Sequence, residues 1–299
     1  MVRWMRSGRP RAFDGVSWRA LGASDDQMVT ELARTCDLAD GGRPNDNRAG
    51  FWLRAKSTTA VGGFVDGNIV AAMIIWSLLG TQRADGYVDP AFRGRGLGGA
   101  LLDWGLSQRG PLAVTTRTLT ADKQRLFASR HLNLGASVVN LSRPLGSAPP
   151  RPVPPPRGVT IDAWDPFDAY GVYVAAFADL PLNPYAHDEV LNNDYESWQA
   201  LNDDLALTVQ ASAVARDLDR TPVGFVSAHG GGLYQFGVSA HWRRRGLGHA
   251  LLSHALARVD PMSEDDTSVR VNAANRAAML LLQAAGFEIG GREDYFVAF

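Results

Sequence analysis

Two stretches of this chain repeat each other. YVDPAFRGRGLGGALL (Tyr87–Leu102) lines up without gaps on GVSAHWRRRGLGHALL (Gly237–Leu252), an offset of 150 residues. Upstream, VSWRAL (Val16–Leu21) matches VTIDAW (Val159–Trp164) at an offset of 143, and downstream LNLGAS (Leu132–Ser137) matches LQAAGFE (Leu282–Glu288) at 151 when Gly135 is set on Gly286. Self-similarity over so long a period means two copies of one fold. The length of 299 residues agrees, at about twice the ~150 that one domain commonly takes. Between the copies lies PLGSAPPRPVPPPRG, residues 144–158, which holds seven of the sixteen prolines. Proline fixes φ and removes a donor, so the segment reads as a stiff connector rather than a strand. The expected organisation is a first domain over 1–143, a linker over 144–158 and a second domain over 159–299.

Each half reads as the same order of elements. In the first, the spacing predicts a strand at 16–21, a helix from Ser24 to Cys36, a hairpin turning at Asp66-Gly67, and a strand ending at Val88. A helix carrying Leu97, Leu101 and Trp104 follows, then a strand from Leu112, a helix over 122–134 and a last strand over 137–142. The second half repeats this, with a polar, irregular insert over 179–202 and a final strand over 287–299. Alternating elements of this kind predict an α/β fold with a mixed sheet.

Gly94, Gly96 and Gly99 satisfy G-x-G-x-x-G, but Arg244 and His249 replace two of those glycines in the second copy. Both copies keep R-x-x-G-x-G: Arg93, Gly96 and Gly98, then Arg243, Gly246 and Gly248. A dinucleotide fold expects its strand directly before the glycines, whereas Asp89-Pro90 intervenes here. A nucleotide-hydrolysing P-loop needs G-K-[ST], which neither half has. A strand, a glycine turn and a helix start nevertheless make an anion site. The first helical N–H groups lack intrahelical acceptors and the dipole presents its positive end. Arg93, Arg95, Arg243, Arg244 and Arg245 add guanidinium groups suited to phosphate.

V-D-P-A-F-R-G-R-G-L-G and V-S-A-H-W-R-R-R-G-L-G resemble motif A of the GNAT superfamily of acyl-CoA-dependent N-acetyltransferases, and Val271–Phe287 resembles its motif B. The tandem arrangement is similar to that of the mycothiol synthases and other actinobacterial two-domain members. The resemblance implies two tandem GNAT-like domains, each a mixed, mostly antiparallel sheet flanked by helices. It implies acetyl-CoA as co-substrate, its pyrophosphate on the amides of Arg93, Gly94, Arg95, Gly96, Leu97, Gly98 and Gly99, and of Arg243, Arg244, Arg245, Gly246, Leu247, Gly248 and His249. It implies pantetheine along Val88 in one copy and along Val238 and Ser239 in the other, with Asn275 nearby. Asn275 also reads as a helix N-cap.

The family often carries a tyrosine four residues before the motif-B glycine; that position is Leu282 here, and His131 in the first half on the glycine alignment. Leucine donates no proton, so Tyr234 and Tyr295 are the candidate acids of the second domain and His131 that of the first. Gln124 stands opposite Asn275 and Ala136 opposite Phe287, so the first motif B is degenerate and the second domain is expected to carry the chemistry. The insert supplies Asp179 for a cationic amine and Tyr185, His187 and Trp198 for the body of an acceptor. The expected reaction is transfer of acetyl to a small-molecule amine; a peptide acceptor, or CoA binding without turnover, are the alternatives. With one cysteine, Cys36, an intramolecular disulfide or thiolate metal cluster is excluded, and no metal is expected. A net charge of −1 draws in neither nucleic acid nor membrane. No apolar run reaches the ~20 residues of a membrane span. A cytoplasmic monomer or homodimer is expected.

Overall fold

The computed structural model describes residues 8–42, 48–54, 58–78, 81–108, 110–144, 147–148, 150–177, 194–204, 207–229, 232–259 and 267–298. The chain forms two compact units, Met1–Ser137 with Arg292–Phe299, and Val138–Gly291. It passes from one unit to the other inside two long strands, so the proline-rich segment lies wholly within the second unit.

In the first unit the elements are β1 (Ser17–Ala20), α1 (Asp26–Ala39), α2 (Arg48–Arg54), β2 (Thr59–Val65), β3 (Asn68–Leu78), β4 (Thr81–Val88), α3 (Leu97–Leu106), β5 (Leu112–Thr116), α4 (Ala121–Ala128) and the start of β6 (Leu132–Arg143). Strands β1 to β4 are antiparallel neighbours, and β5 joins β4 in parallel. The β4–β5 pairing stops at Asp85↔Thr115, while β4 itself continues to Val88. Leu97, Leu101 and Phe127 fill one face of this sheet; Val29, Leu32 and Leu53 fill the other.

The second unit holds the rest of β6, then β7 (Thr160–Ala163), α5 (Pro166–Phe177), α6 (Tyr195–Asp204), β8 (Ala213–Arg216), β9 (Pro222–His229), β10 (Gly232–Val238), α7 (Leu247–Leu256), β11 (Thr267–Asn272), α8 (Arg276–Ala284) and the start of β12 (Glu288–Ala298). Strands β7 to β10 run antiparallel in order, and β11 pairs with Val138–Arg143 of β6. Unlike β4 and β5, strands β10 and β11 belong to different sheets. The β9–β10 register slips between Leu233 and Gln235, so Tyr234 is the extra residue of a β-bulge. The remainder of β12 lies in the first unit, where Asp294–Val297 pair with β5.

Three local expectations change. The helix expected over 122–134 ends at Ala128, because β6 already begins at Leu132. Helix α2 forms where the sequence reading places no element, and helix α6 where it places a polar, irregular insert. Among the described residues, no helix is long and apolar enough to cross a membrane.

Candidate active site

The two glycine loops are built alike. Gly96 and Gly246 cap α3 and α7 at φ +88° and +89°. Two residues earlier, Gly94 and Arg244 both sit in the left-handed region, at +76° and +58°. A side chain at the cap would pay for that conformation, which is why glycine recurs there. Gly98 and Gly248 have a different reason. A Cβ there would stand 3.4 Å from Leu126 and 3.2 Å from Leu281, so these glycines let the motif-A helix close on α4 or α8. The first intrahelical bonds close from Ala100 to Gly96 and from Ala250 to Gly246. The preceding amides, Leu97–Gly99 and Leu247–His249, are the donors that an α-helix leaves without intrahelical acceptors.

The arginines divide their labour. Arg93 Nε donates to the Val88 carbonyl at 3.1 Å and Nη1 to Asp40 at 2.6 Å. Arg243 Nε donates to the Val238 carbonyl at 3.1 Å and Nη2 to the Ala176 carbonyl at 2.6 Å. The first arginine of each motif thus clips the strand end to the preceding helix. Arg95 lies over Phe92 and Arg245 over Trp242, at 4.9 and 5.1 Å from the ring centres. Arg244, Arg245 and His249 are exposed at the second loop, in reach of an anion on the α7 amides.

In the first unit a cavity of about 350 Å³ runs from the Arg93–Gly99 loop past Gly86–Val88 to Asp85, Thr115 and Cys36. Its deep wall is polar. Thr115 Oγ1 donates to Asp85, Tyr87 OH lies 3.4 Å from the same carboxylate, and Arg117 donates to Asp37 at 3.2 Å. At the mouth, nearly buried Asp40 joins Arg93 to Lys123 Nζ, the latter at 2.7 Å. Cys36 donates to the Val88 carbonyl at 3.2 Å, and burial pushes its thiol up, so it is no ready thiolate.

The helix caps reset the motif-B alignment. Asn275 accepts from the Ala278 amide at 3.1 Å, and Thr120 accepts from the Lys123 amide at 3.3 Å. Thr120 is therefore the counterpart of Asn275, at an offset of 155 rather than 151. Leu126 against Gly98 and Leu281 against Gly248 fit the same offset. On this register Phe127 is the counterpart of Leu282, and both are buried core residues. His131 falls instead at the turn position of Gly286, exposed and at φ +55°, against +88° for the glycine. The expectation that His131 holds the family's tyrosine position is corrected: Gly135 lies within β6 and is not the counterpart of Gly286, so His131 falls past the end of α4.

Tyr295 also moves. It pairs with Thr115 in the first unit, is fully buried, and donates to Glu293 at 2.9 Å, so it is not an acid of the second unit. Trp198 is fully buried among Trp164, Tyr170 and Tyr173, and its indole N–H donates to Gln235 Oε1 at 3.1 Å. It orients Gln235 of β10 rather than offering a face to an acceptor. Asp179, Tyr185 and His187 lie outside the described residues. Tyr234 is half-buried at the bulge, with burial pushing its phenol up to about 12. Its ring meets His229, a residue that sequence reading passed over because a single histidine ending an apolar strand looks like a sheet-edge residue.

Known proteins bear on these loops. Residues 182–296 match the family described as Acetyltransferase (GNAT) domain. Over 278 residues the chain is 30% identical to a mycothiol acetyltransferase of Clavibacter michiganensis, covering 87% of each chain. A GCN5-related N-acetyltransferase from Sphaerobacter thermophilus has the same fold, with a TM-score of 0.74, 22% identity and 96% of each chain covered. A tandem GNAT protein from the clavulanic acid biosynthesis pathway matches at a TM-score of 0.59 and 17% identity, over 95% of this chain and 98% of that one.

Proposed function

The chain belongs to the GNAT family and is an acetyl-CoA-dependent N-acetyltransferase, and from that premise we propose that its second unit acetylates the amine of a small molecule related to mycothiol. The observation that carries the assignment to the second unit is β10. It is an edge strand of its sheet, its bulge falls at Tyr234, and it leads directly into the Arg243–His249 loop. An edge strand offers backbone donors and acceptors to an extended amide-bearing arm, and bulges recur beside active sites. In the first unit the corresponding strand is regular and already paired with β5 through Asp85.

The first unit's loop and cavity suit a second acetyl-CoA, held without turnover. Asp40 beside Arg93 and Lys123 leaves less net positive charge there than Arg243, Arg244 and Arg245 give the second loop. The Clavibacter relative, a mycothiol acetyltransferase aligned over most of both chains, supports this class of acceptor. Thiol release from acetyl-CoA is to be measured with desacetylated mycothiol, with simpler primary amines and with a lysine peptide. Turnover confined to the peptide would reject the small-molecule reading.

A further inference from the structure

We propose that His229 and Tyr234 are the proton-transferring pair of the second unit, His229 taking the proton from the acceptor nitrogen and Tyr234 supplying one to the departing thiolate. This rests on the reading that the second unit does the chemistry. Strand β9 (PVGFVSAH) and strand β10 (GLYQFGV) contain one titratable side chain each, and those two meet. The ring centroids are 5.6 Å apart with planes at 67°, an edge-to-face contact.

Both groups are held by backbone on either side. His229 pairs with Gly232 of β10 and with Leu207, and Tyr234 is fixed by the bulge between Leu233 and Gln235. Tyr234 stands four residues upstream of Val238, the end of β10 that opens into the loop, so an arm laid along the strand from the loop runs toward it. The bulge changes the direction of its side chain relative to a regular strand. Burial lowers the basicity of His229, which keeps its imidazole neutral and able to accept a proton near pH 7. Burial likewise keeps the Tyr234 phenol protonated.

The step balances. An alkylamine arrives as its ammonium: His229 takes that proton and passes it to solvent, the freed lone pair forms the C–N bond, and His229 then takes the surplus N–H proton. The C–S bond then breaks, its electron pair staying on sulfur, and Tyr234 gives the thiolate its hydroxyl proton. His229 returns its proton to the phenolate, leaving amide, free thiol and the original pair. Neither Leu282 nor Phe127 could supply a proton at the motif-B position, so the acid must come from another element.

The test uses the full chain and its His229→Gln and Tyr234→Phe variants, with acetyl-CoA as donor and D-glucosamine, putrescine or hydroxylamine as acceptor. Thermal unfolding and calorimetric titration with acetyl-CoA check folding and donor binding. The expected result for His229→Gln is a fall in kcat of about 10²- to 10⁴-fold on the alkylamines, with the KM for acetyl-CoA unchanged. On hydroxylamine, which is weakly basic and enters neutral, the fall is much smaller. Tyr234→Phe lowers kcat on all three, because the leaving thiolate is common to them. Rates within threefold of the parent, or an equal loss on every acceptor together with weakened acetyl-CoA binding, would overturn the pair. Full turnover in an Arg244→Glu/Arg245→Glu variant would instead overturn the second-unit reading. Absence of turnover by the parent on all three and on desacetylated mycothiol would overturn the small-amine chemistry on which the pair depends.

Discussion

Thr115 and Tyr295 stand opposite each other in antiparallel register, so a residue four from the end of the chain joins a sheet begun by its first half. Phe296, next along, is buried and packs on Phe127 with ring centres 4.6 Å apart. Truncating Phe296→Ala should lower the unfolding free energy by about 3–5 kcal/mol. Ending the chain at Gly291 should remove more than a marginally stable unit can lose. Urea unfolding of both variants, followed by tryptophan fluorescence, measures this; unchanged midpoints would contradict the strand exchange.

The loop glycines give a second prediction. Gly246 has open space around its Cβ position, so Gly246→Ala should cost only the left-handed backbone, about 1–2 kcal/mol. Arg244→Gly should gain about 1 kcal/mol from the same source, while weakening acetyl-CoA binding through the lost charge. Thermal midpoints and calorimetric affinities should therefore move in opposite directions for Arg244→Gly.

Arg93 and Arg243 act on the fold before they act on any ligand. Arg93→Ala should cost about 1–3 kcal/mol, because it strips Asp40 and the Val88 carbonyl of a donor. Asp40→Asn should recover part of that loss, and a double-mutant cycle should give a coupling of about 0.5–3 kcal/mol. Additive losses would mean that the crossed ion pair with Lys123 holds Asp40 unaided.

Stability should fall on mild acidification. His229 and His254 are both lowered by burial, and Arg258 lowers His254 further. A histidine depressed in the folded state binds its proton more readily when unfolded, so its contribution is present above the unfolded value near 6.5 and is lost as pH falls through the folded one. Unfolding free energy measured from pH 7.5 to 5 should drop, and the slope should shrink in the His229→Gln variant. The carboxylate of Asp25, held low by Arg19, enters only below about pH 4.

The loops were the legible part of this protein. Glycines at 96 and 246 and arginines at 93 and 243 recur because backbone conformation and the clip to the strand end demand those residue types. The motif-B register was not legible, because Gly135 and Gly286 look equivalent while the capping side chains, Thr120 and Asn275, differ in type. Nor could Tyr295 be placed, since strand pairing between distant segments leaves no local signal. A β-bulge at Tyr234 and its contact with His229 are likewise properties of register, which alternation alone does not encode.

On the reading proposed above, the second loop holds the acetyl-CoA that reacts. Arg95→Glu alters the first loop and Arg244→Glu/Arg245→Glu the second, all at exposed positions. Acetyl-CoA-dependent thiol release by these two variants, measured beside calorimetric titration, is the most direct test. The second-loop variant should lose both turnover and a binding site, while the first-loop variant keeps its turnover. Turnover lost with Arg95→Glu and kept with Arg244→Glu/Arg245→Glu would put the chemistry in the first unit.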